Sequence, residues 1–433
     1  MLSKARRTLC VRVSAVLLLA LAAPYAFAQD GLDSGDTAWM IVSSALVMLM
    51  VPGLALFYAG MVRRKNVLSS MMHSFIALGV ITVQWVVVGY SIAFGEDIGG
   101  LLGNPATKFL LLGITPETLS GSVPELVFAM FQGMFAIITP ALIAGAIAER
   151  VKFSTYIVFI LLWATLVYDP LAHWVWGPGG WLLERGALDF AGGTVVHLSS
   201  GVSALVIVIM IGKRRGFPSG DMMPHNLTMT LLGAGLLWFG WFGFNAGSAV
   251  AANASAGLAF TVTHIAAGSG ALGWLLVERW HRGHASALGA ASGLVAGLVG
   301  ITPAAGFVAP WAAILIGFGA GCICYGAIVM KGRLGYDDSL DVVGVHGVGG
   351  TWGALATGVF AMAAFGGASG LLEGNVSQFI TQVVGVLAAG LYAAVVTAII
   401  VFALDKTMGF RVDDEEEQIG LDQVEHGEVG YNF

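Results

Sequence analysis

Long apolar runs separated by short polar breaks dominate the chain, and eleven of the runs are long enough to predict bilayer-crossing helices. Their limits are 39–60, 67–94, 124–148, 155–176, 192–212, 225–250, 253–277, 286–301, 307–330, 342–364 and 376–404. The eighth is the shortest and the richest in Gly and Ala. Irregular backbone at that depth is tolerated only where protein or a water-filled cavity covers it.

The polar breaks fix an orientation. Every second break carries the basic residues: Arg63, Arg64, Lys65, Arg150, Lys152, Lys213, Arg214, Arg215, Arg279, Arg282, Lys331, Arg333, Lys406 and Arg411. The intervening breaks carry only Lys108 and Arg185. A bias of this size sets topology, with the basic side cytoplasmic. It places the N-terminus outside and residues 405–433 in the cytoplasm as a C-terminal tail, and only an odd helix count preserves the alternation. Removing the last helix leaves ten, which divide into two fives. Halves with an odd number of helices must insert in opposite directions, a plan common among transporters. The predicted fold is an all-α polytopic membrane protein with eleven transmembrane helices, two inverted five-helix repeats plus a C-terminal helix.

The first 28 residues read differently. Lys4, Arg6, Arg7 and Arg12 precede an apolar core from Val13 to Ala23, and Ala26-Phe27-Ala28 follows. That order is a cleavable signal peptide. Its core spans only ~16 Å at ~1.5 Å per residue, against a hydrocarbon layer of ~30 Å. The mature chain is expected to begin near Gln29, with the transmembrane domain at 29–404.

Composition agrees with this class. The chain is 57% hydrophobic and 11% charged, against ~25% charged in soluble domains. Its 61 glycines suit close helix packing in lipid. The net charge of −6 comes largely from the acidic tail and implies no nucleic-acid partner. Cys322 and Cys324 lie on different faces of a helix, which suggests neither a disulfide nor a metal site. No nucleophile–base pair, metal cluster or phosphate loop stands out, so an enzyme is not expected, nor a cofactor.

The candidate chemistry sits in two echoing stretches. Asp189–Gly201 reads D-F-A-G-G-T-V-V-H-L-S-S-G, and Asp341–Gly353 reads D-V-V-G-V-H-G-V-G-G-T-W-G. Both contain Val-His and then His-x-x-x-Gly, so His197 and His346 occupy equivalent places in the fifth and tenth helices. An ionisable group in the membrane is a functional candidate by default. Neutral imidazole, with one donor and one acceptor, is the least costly choice. The pair either lines a pore or joins two helices as a packed hydrogen-bonded couple. Asp189 and Asp341 begin their helices, where a carboxylate caps backbone N–H groups. Asp189 would also strengthen an outer cation site. Phe128, Phe131 and Phe135 share one helix face, and Trp238, Trp241 and Phe244 precede Ser248. Trp176 ends the fourth helix. Aromatic faces attract small cations, although belts and packing explain most tryptophans.

The runs D-F-A-G-G-T-V-V-H, F-Q-G-M-F-A, G-A-I-A-E-R, G-W-F-G-F-N-A-G-S, G-L-V-G-I-T-P and D-V-V-G-V-H-G-V-G-G closely resemble the Amt/Mep/Rh ammonium transporter family, bacterial Amt branch. The resemblance covers nearly the whole mature chain. It implies a homotrimer with one pore per subunit, in a bacterial cytoplasmic (inner) membrane. It makes His197 and His346 the pore twin histidines, and Phe135 and Phe244 the phenylalanine gate. Phe131, Trp176, Ser248 and Asp189 become the external ammonium site, and Trp241 and Thr302 the pore wall. The W-G-P-G-G-W segment is one residue longer than the usual spacing, so Trp174 and Trp181 compete with Trp176. The resemblance implies ammonium or ammonia as substrate, with methylammonium as a further candidate. A PII-type regulatory protein is the implied partner of the tail, which composition alone would read as solvated. Two rivals remain: an ammonium sensor on the same fold, and a bis-histidine haem electron carrier.

Overall fold

The computed structural model describes residues 31–218, 220 and 222–432. The expected signal peptide lies outside the described residues.

Nine helices among the described residues are long and apolar enough to cross a membrane. They are α1 Ser34–Met61, α2 Arg64–Phe94, α3 Glu125–Ile147, α4 Phe153–Glu184, α5 Gly193–Ile211, α6 Leu227–Ala246, α7 Ala254–Arg282, α9 Pro310–Leu334 and α11 Val376–Thr407. The predicted eighth and tenth spans are helical but are not among the nine. Helix α8 is Ala287–Ile301, and α10 is Gly349–Phe360, continuous with a π-helical turn, Val343–Val348, as α5 is with its own. At ~1.5 Å per residue, α8 falls well short of the ~30 Å of a hydrocarbon layer. Protein surrounds both: α8 packs against α6, α7, α9 and α10.

Local chemistry sets the helix ends. Asp33, Asn226, Asn253, Ser286 and Asn375 each accept a backbone N–H from the first turn of the helix they precede. Gly283 and Gly335 close α7 and α9 at φ +83° and +75°, where a side chain would be strained.

The loops gather at two faces. On one, Asp33 meets Ser122, Asp36 meets Ala252, and Gly186 meets Gln378. On the other, Arg63, Glu149, Arg214 and Asp337 join in one network. Helix α5 starts at the first face and α10 at the second, so the two run in opposite directions. They cross where a Cβ on Gly201 would lie 2.1 Å from the Gly347 nitrogen. A Cβ on Gly350 would lie 2.8 Å from the Gly193 oxygen. Helix α3 packs on α1, α2 and α5, and α8 on α6, α7 and α10, the same relation shifted by five.

The segment after α11 is docked rather than solvated. Its backbone pairs with the α3–α4 loop, Val412 N–H to Arg150 O at 3.1 Å and Lys152 N–H to Phe410 O at 3.2 Å. The buried Glu417 accepts from Arg411 Nη2 at 2.6 Å and from the Arg215 backbone N–H at 2.6 Å. Asp422 accepts the Ser69 N–H at 2.8 Å, and the Tyr431 hydroxyl meets His225 Nε2 at 2.9 Å. Beneath this sits the loop network. Burial alone would raise the Glu149 carboxyl, but the Arg214 and Arg63 guanidiniums outweigh it and hold it below its ordinary value. Asp337 is likewise held down, its burial outweighed by Arg214 and Arg150.

Candidate functional site

The histidines meet at the α5–α10 crossing. His197 Nδ1 and His346 Nδ1 are 3.2 Å apart, with the rings 5.2 Å centroid to centroid and 25° from parallel. Each sits in a π-helical turn, Gly193–Leu198 or Val343–Val348. π-Turns recur at functional sites because the inserted residue re-aims the side chains around it.

A buried carboxylate starts each turn. Asp189 accepts four backbone N–H bonds, Gly192 at 2.8 Å, Gly193 at 2.7 Å, Thr194 at 2.8 Å and Val195 at 3.3 Å. In the second half this work falls to Asp338, which accepts Val342 N–H at 3.1 Å and Val343 N–H at 2.8 Å. The expectation for Asp341 is therefore corrected. Asp341 has φ +65° and pairs with Lys331. Asp189 and Asp338 both precede their histidine by eight residues, a spacing visible in the sequence and missed.

Three cavities line up around the pair. A vestibule of 570 Å³ is lined by Phe128, Gln132, Phe135, Trp176, Phe190 and Ser248, among others. Phe135 closes its floor against Phe244, their rings 4.2 Å apart and 32° from parallel. Beyond lies a narrow cavity, about the size of one water molecule, whose walls include Ile138, Leu142, Leu237, Trp241, Phe244, His197 and His346. Trp241 is fixed by donating to Thr302 Oγ1 at 2.9 Å, and its ring stacks 5.5 Å from His197. A third, equally narrow cavity continues past His346 to Leu340 and Asp341. Phe57, Val295 and His346 line both inner cavities.

The three competing tryptophans lie in different places. Trp176 lines the vestibule, stands edge-on to Phe135 at 6.2 Å and donates to the Asp189 carbonyl at 2.8 Å. Trp174 instead donates to Leu101 O and packs on Trp181 and Tyr392. Asp189 thus touches the vestibule only through Trp176 and the turn it holds. Phe131 is fully buried behind Phe135, 5.0 Å away, rather than on the vestibule wall. Phe128, which the sequence sets on one face with Phe135, lines the wall, and so does Gln132, which sequence reading passed over. Ser248 donates to Phe244 O at 2.8 Å, which leaves its lone pairs toward the vestibule.

A haem does not fit the histidine pair. Two metal–nitrogen bonds of ~2 Å separate the ligating atoms by ~4 Å, whereas these rings are in direct nitrogen contact at 3.2 Å. Among the described residues no group of three or more His, Cys, Asp or Glu could hold a metal ion.

Comparison with known proteins agrees with the fold and the motifs. The "Ammonium Transporter" of Aquifex aeolicus is 48% identical over 96% of this chain and 98% of its own length. That of Bacillus subtilis is 48% identical over 92% and 99%. The crystal structure of Saccharomyces cerevisiae Mep2 superposes with a TM-score of 0.84 at 37% identity, covering 89% of each chain. A sequence model of the Ammonium Transporter Family matches residues 38–431, and the chain belongs to that family.

Proposed function

We propose that the chain transports ammonium by collecting the ion in the vestibule, removing a proton at the phenylalanine gate, and passing ammonia along the histidine pair. One observation carries this reading. The imidazole couple lies in an apolar cavity that adjoins the vestibule at one end and a second cavity at the other. His197 Nε2, buried, has no hydrogen-bond partner, so it can receive one from a passing solute.

Two costs support deprotonation. A bare cation at the centre of a bilayer costs ~10–17 kcal/mol in simulations and ~2.5–3.5 on insertion scales. Stripping a proton at pH 7 from an amine with the pKa of Lys costs about 4–5 kcal/mol. A narrow apolar pore held by packed protein cannot thin or flood as lipid does, so the higher cation figure applies. Potassium has no proton to lose and is rejected. The vestibule supplies the first step: the faces of Phe128 and Trp176 attract a cation by ~0.5–2 kcal/mol, and the Ser248 oxygen can accept an N–H bond.

The rest of the proposal concerns setting. Eleven crossings in two inverted halves plus α11 place the vestibule outside and the docked tail in the cytoplasm of a bacterial cell. The chain works as a homotrimer, and the tail face is where a PII-type regulator would bind. The described tail is committed to its own loops, which favours a transporter over a signalling output.

Uptake of labelled methylammonium by proteoliposomes, with ammonium as competitor, tests the reading. Replacing His197 and His346 together by Leu should abolish selective uptake. Unchanged uptake with unchanged rejection of potassium would overturn the mechanism. A current on adding ammonium would show that the proton follows by a separate route; its absence would show that the proton stays outside.

A further inference from the structure

A fourth cavity, of 680 Å³, opens beside the vestibule and shares Phe94, Phe128 and Trp176 with it. Its polar end is built around a cation that belongs to the protein. Lys108 Nζ is bonded to Glu125 Oε1 and lies 5.3 Å from the centroid of the Tyr90 ring. The Tyr90 hydroxyl donates to the same Glu125 oxygen at 2.8 Å. The Glu125 side chain is 8% exposed and that of Lys108 25%. An acceptor carboxylate and an aromatic face therefore enclose a primary ammonium group.

The obvious role is a tether for the loop between α2 and α3. That loop has other anchors. The Lys108 backbone N–H donates to Ser91 Oγ at 2.9 Å, and the Asn104 N–H donates to Glu96 O at 2.7 Å. The side chain is not needed to hold the backbone. What its terminus offers is chemical: R–NH₃⁺ is the closest side-chain analogue of methylammonium, seated where an aromatic face and a carboxylate would hold one.

We propose that Glu125 and Tyr90 form a small-cation subsite at the mouth of the vestibule, closed by Lys108 as a tethered occupant that free ammonium or an alkylammonium must displace. The proposal rests on the reading of the adjoining vestibule as a cation-collecting site. The pair reaches solvent at its lysine end, 25% exposed, so the ammonium group can exchange with an ion from outside. A group on a short tether competes at an effective concentration on the millimolar scale. The subsite therefore fills only when the cation outside reaches that range, and it stays shut to dilute ions.

Crystals of the full chain with Lys108→Met, which keeps most of the apolar stem, are soaked in rubidium and read by anomalous scattering. The expected result is a peak between Glu125 and the Tyr90 ring, weaker in the parent protein at the same rubidium concentration and absent from Lys108→Met/Glu125→Gln. Half-saturation of methylammonium uptake should fall by about threefold or more in Lys108→Met, a factor within the range of exposed ion pairs. It should return to the parent value in the double variant. If Lys108→Met does not fold, calorimetry of Lys108→Gly with n-butylammonium, which supplies the four missing carbons and the ammonium group, takes its place. Saturable binding tighter in the variant than in the parent is expected. No peak in Lys108→Met, or identical butylammonium titrations, would overturn the subsite. A chain that took up no methylammonium would overturn the transport reading instead, and the rubidium peak would still decide the subsite.

Discussion

Gly201→Ala probes the packing that brings the two histidines together. The added Cβ would lie 2.1 Å from the Gly347 nitrogen and 2.2 Å from its Cα. Both are backbone atoms of α10's opening turn, so no side chain can swing aside. Ordinary contact begins near 3.4 Å, and the helices must part by about 1.3 Å. The imidazoles sit one turn away with their nitrogens 3.2 Å apart. The same displacement takes them beyond hydrogen-bond range. Overpacking of this kind costs ~1–3 kcal/mol, and we expect a lower melting temperature in detergent together with a fall in methylammonium uptake of about tenfold, the equivalent of ~1.4 kcal/mol in a barrier. Gly79→Ala and Gly257→Ala are the controls. An added Cβ at either meets nothing within 4 Å, and Ala gains ~0.5–1 kcal/mol over Gly inside a helix. These two should be neutral or stabilising with full uptake. If Gly201→Ala matched them in both melting and uptake, the crossing would not be what fixes the histidine pair.

Asp338→Ala should destabilise the chain by ~0.5–2 kcal/mol, the cost of losing a helix cap. Asp341→Ala, which removes only a partly exposed pair with Lys331, should cost ~0–1 kcal/mol; thermal unfolding in detergent separates them, and equal losses would refute the assignment of the cap to Asp338. Trp176→Leu should raise the half-saturating ammonium concentration by ~2–30-fold, the range of one cation–π contact. Trp174→Leu, which faces Trp181 and Tyr392, should leave it unchanged. The tail-face network should be acid-labile. Glu149 and Asp337 both have folded-state values below their ordinary ones, so their contribution is complete above the unfolded values of ~4.3 and ~3.9 and is lost as pH falls through the lower folded values. Limited proteolysis of residues after 407 should be slow at pH 7 and fast once the medium is more acidic than pH ~4; a pH-independent rate would refute it.

Much of the site was legible because it rests on short-range pattern. The apolar runs gave the helices, and the two His-x-x-x-Gly echoes gave the histidine pair. The glycine of that echo has a plain cause, since positions i and i+4 share a helix face, and the face that presents His197 must also let Gly347 approach. The positions that misled depend on contacts no local pattern carries. Asp341 stands nearer the second histidine and invites pairing with Asp189, yet the turn begins three residues earlier, at Asp338. Phe131 and Phe128 are both on the aromatic face of α3, and only the placement of α6 decides that one is buried and the other lines the vestibule. The acidic tail reads as solvated because its partners, Arg215 for Glu417 and Ser69 for Asp422, lie hundreds of residues away in the chain. The shortness of α8 follows the same logic: its Gly- and Ala-rich sequence suits a helix enclosed by others, so it does not need the full apolar length that lipid would demand.

The contact between the imidazoles does not by itself distinguish a pore from a structural couple, because the crossing that makes room for Gly201 also sets His197 against His346. The distinction comes from what the pair leaves open. A couple selected for packing would satisfy every buried polar atom, since an orphaned donor or acceptor costs ~1–3 kcal/mol. Here His197 Nε2 is buried and unpaired, His346 borders the cavities on both sides, and the surrounding walls are apolar. Other buried side-chain atoms are unpaired as well, but His197 lines a cavity in which a small polar solute could restore the bond. Each histidine is also held from a different face of the protein, one by Asp189 and the other by Asp338, so neither depends on the other for its orientation. If that is the purpose of the paired caps, replacing only one histidine by Leu should leave the remaining ring in place. A crystal structure of His346→Leu with His197 displaced from its stack on Trp241, now 5.5 Å, would contradict it.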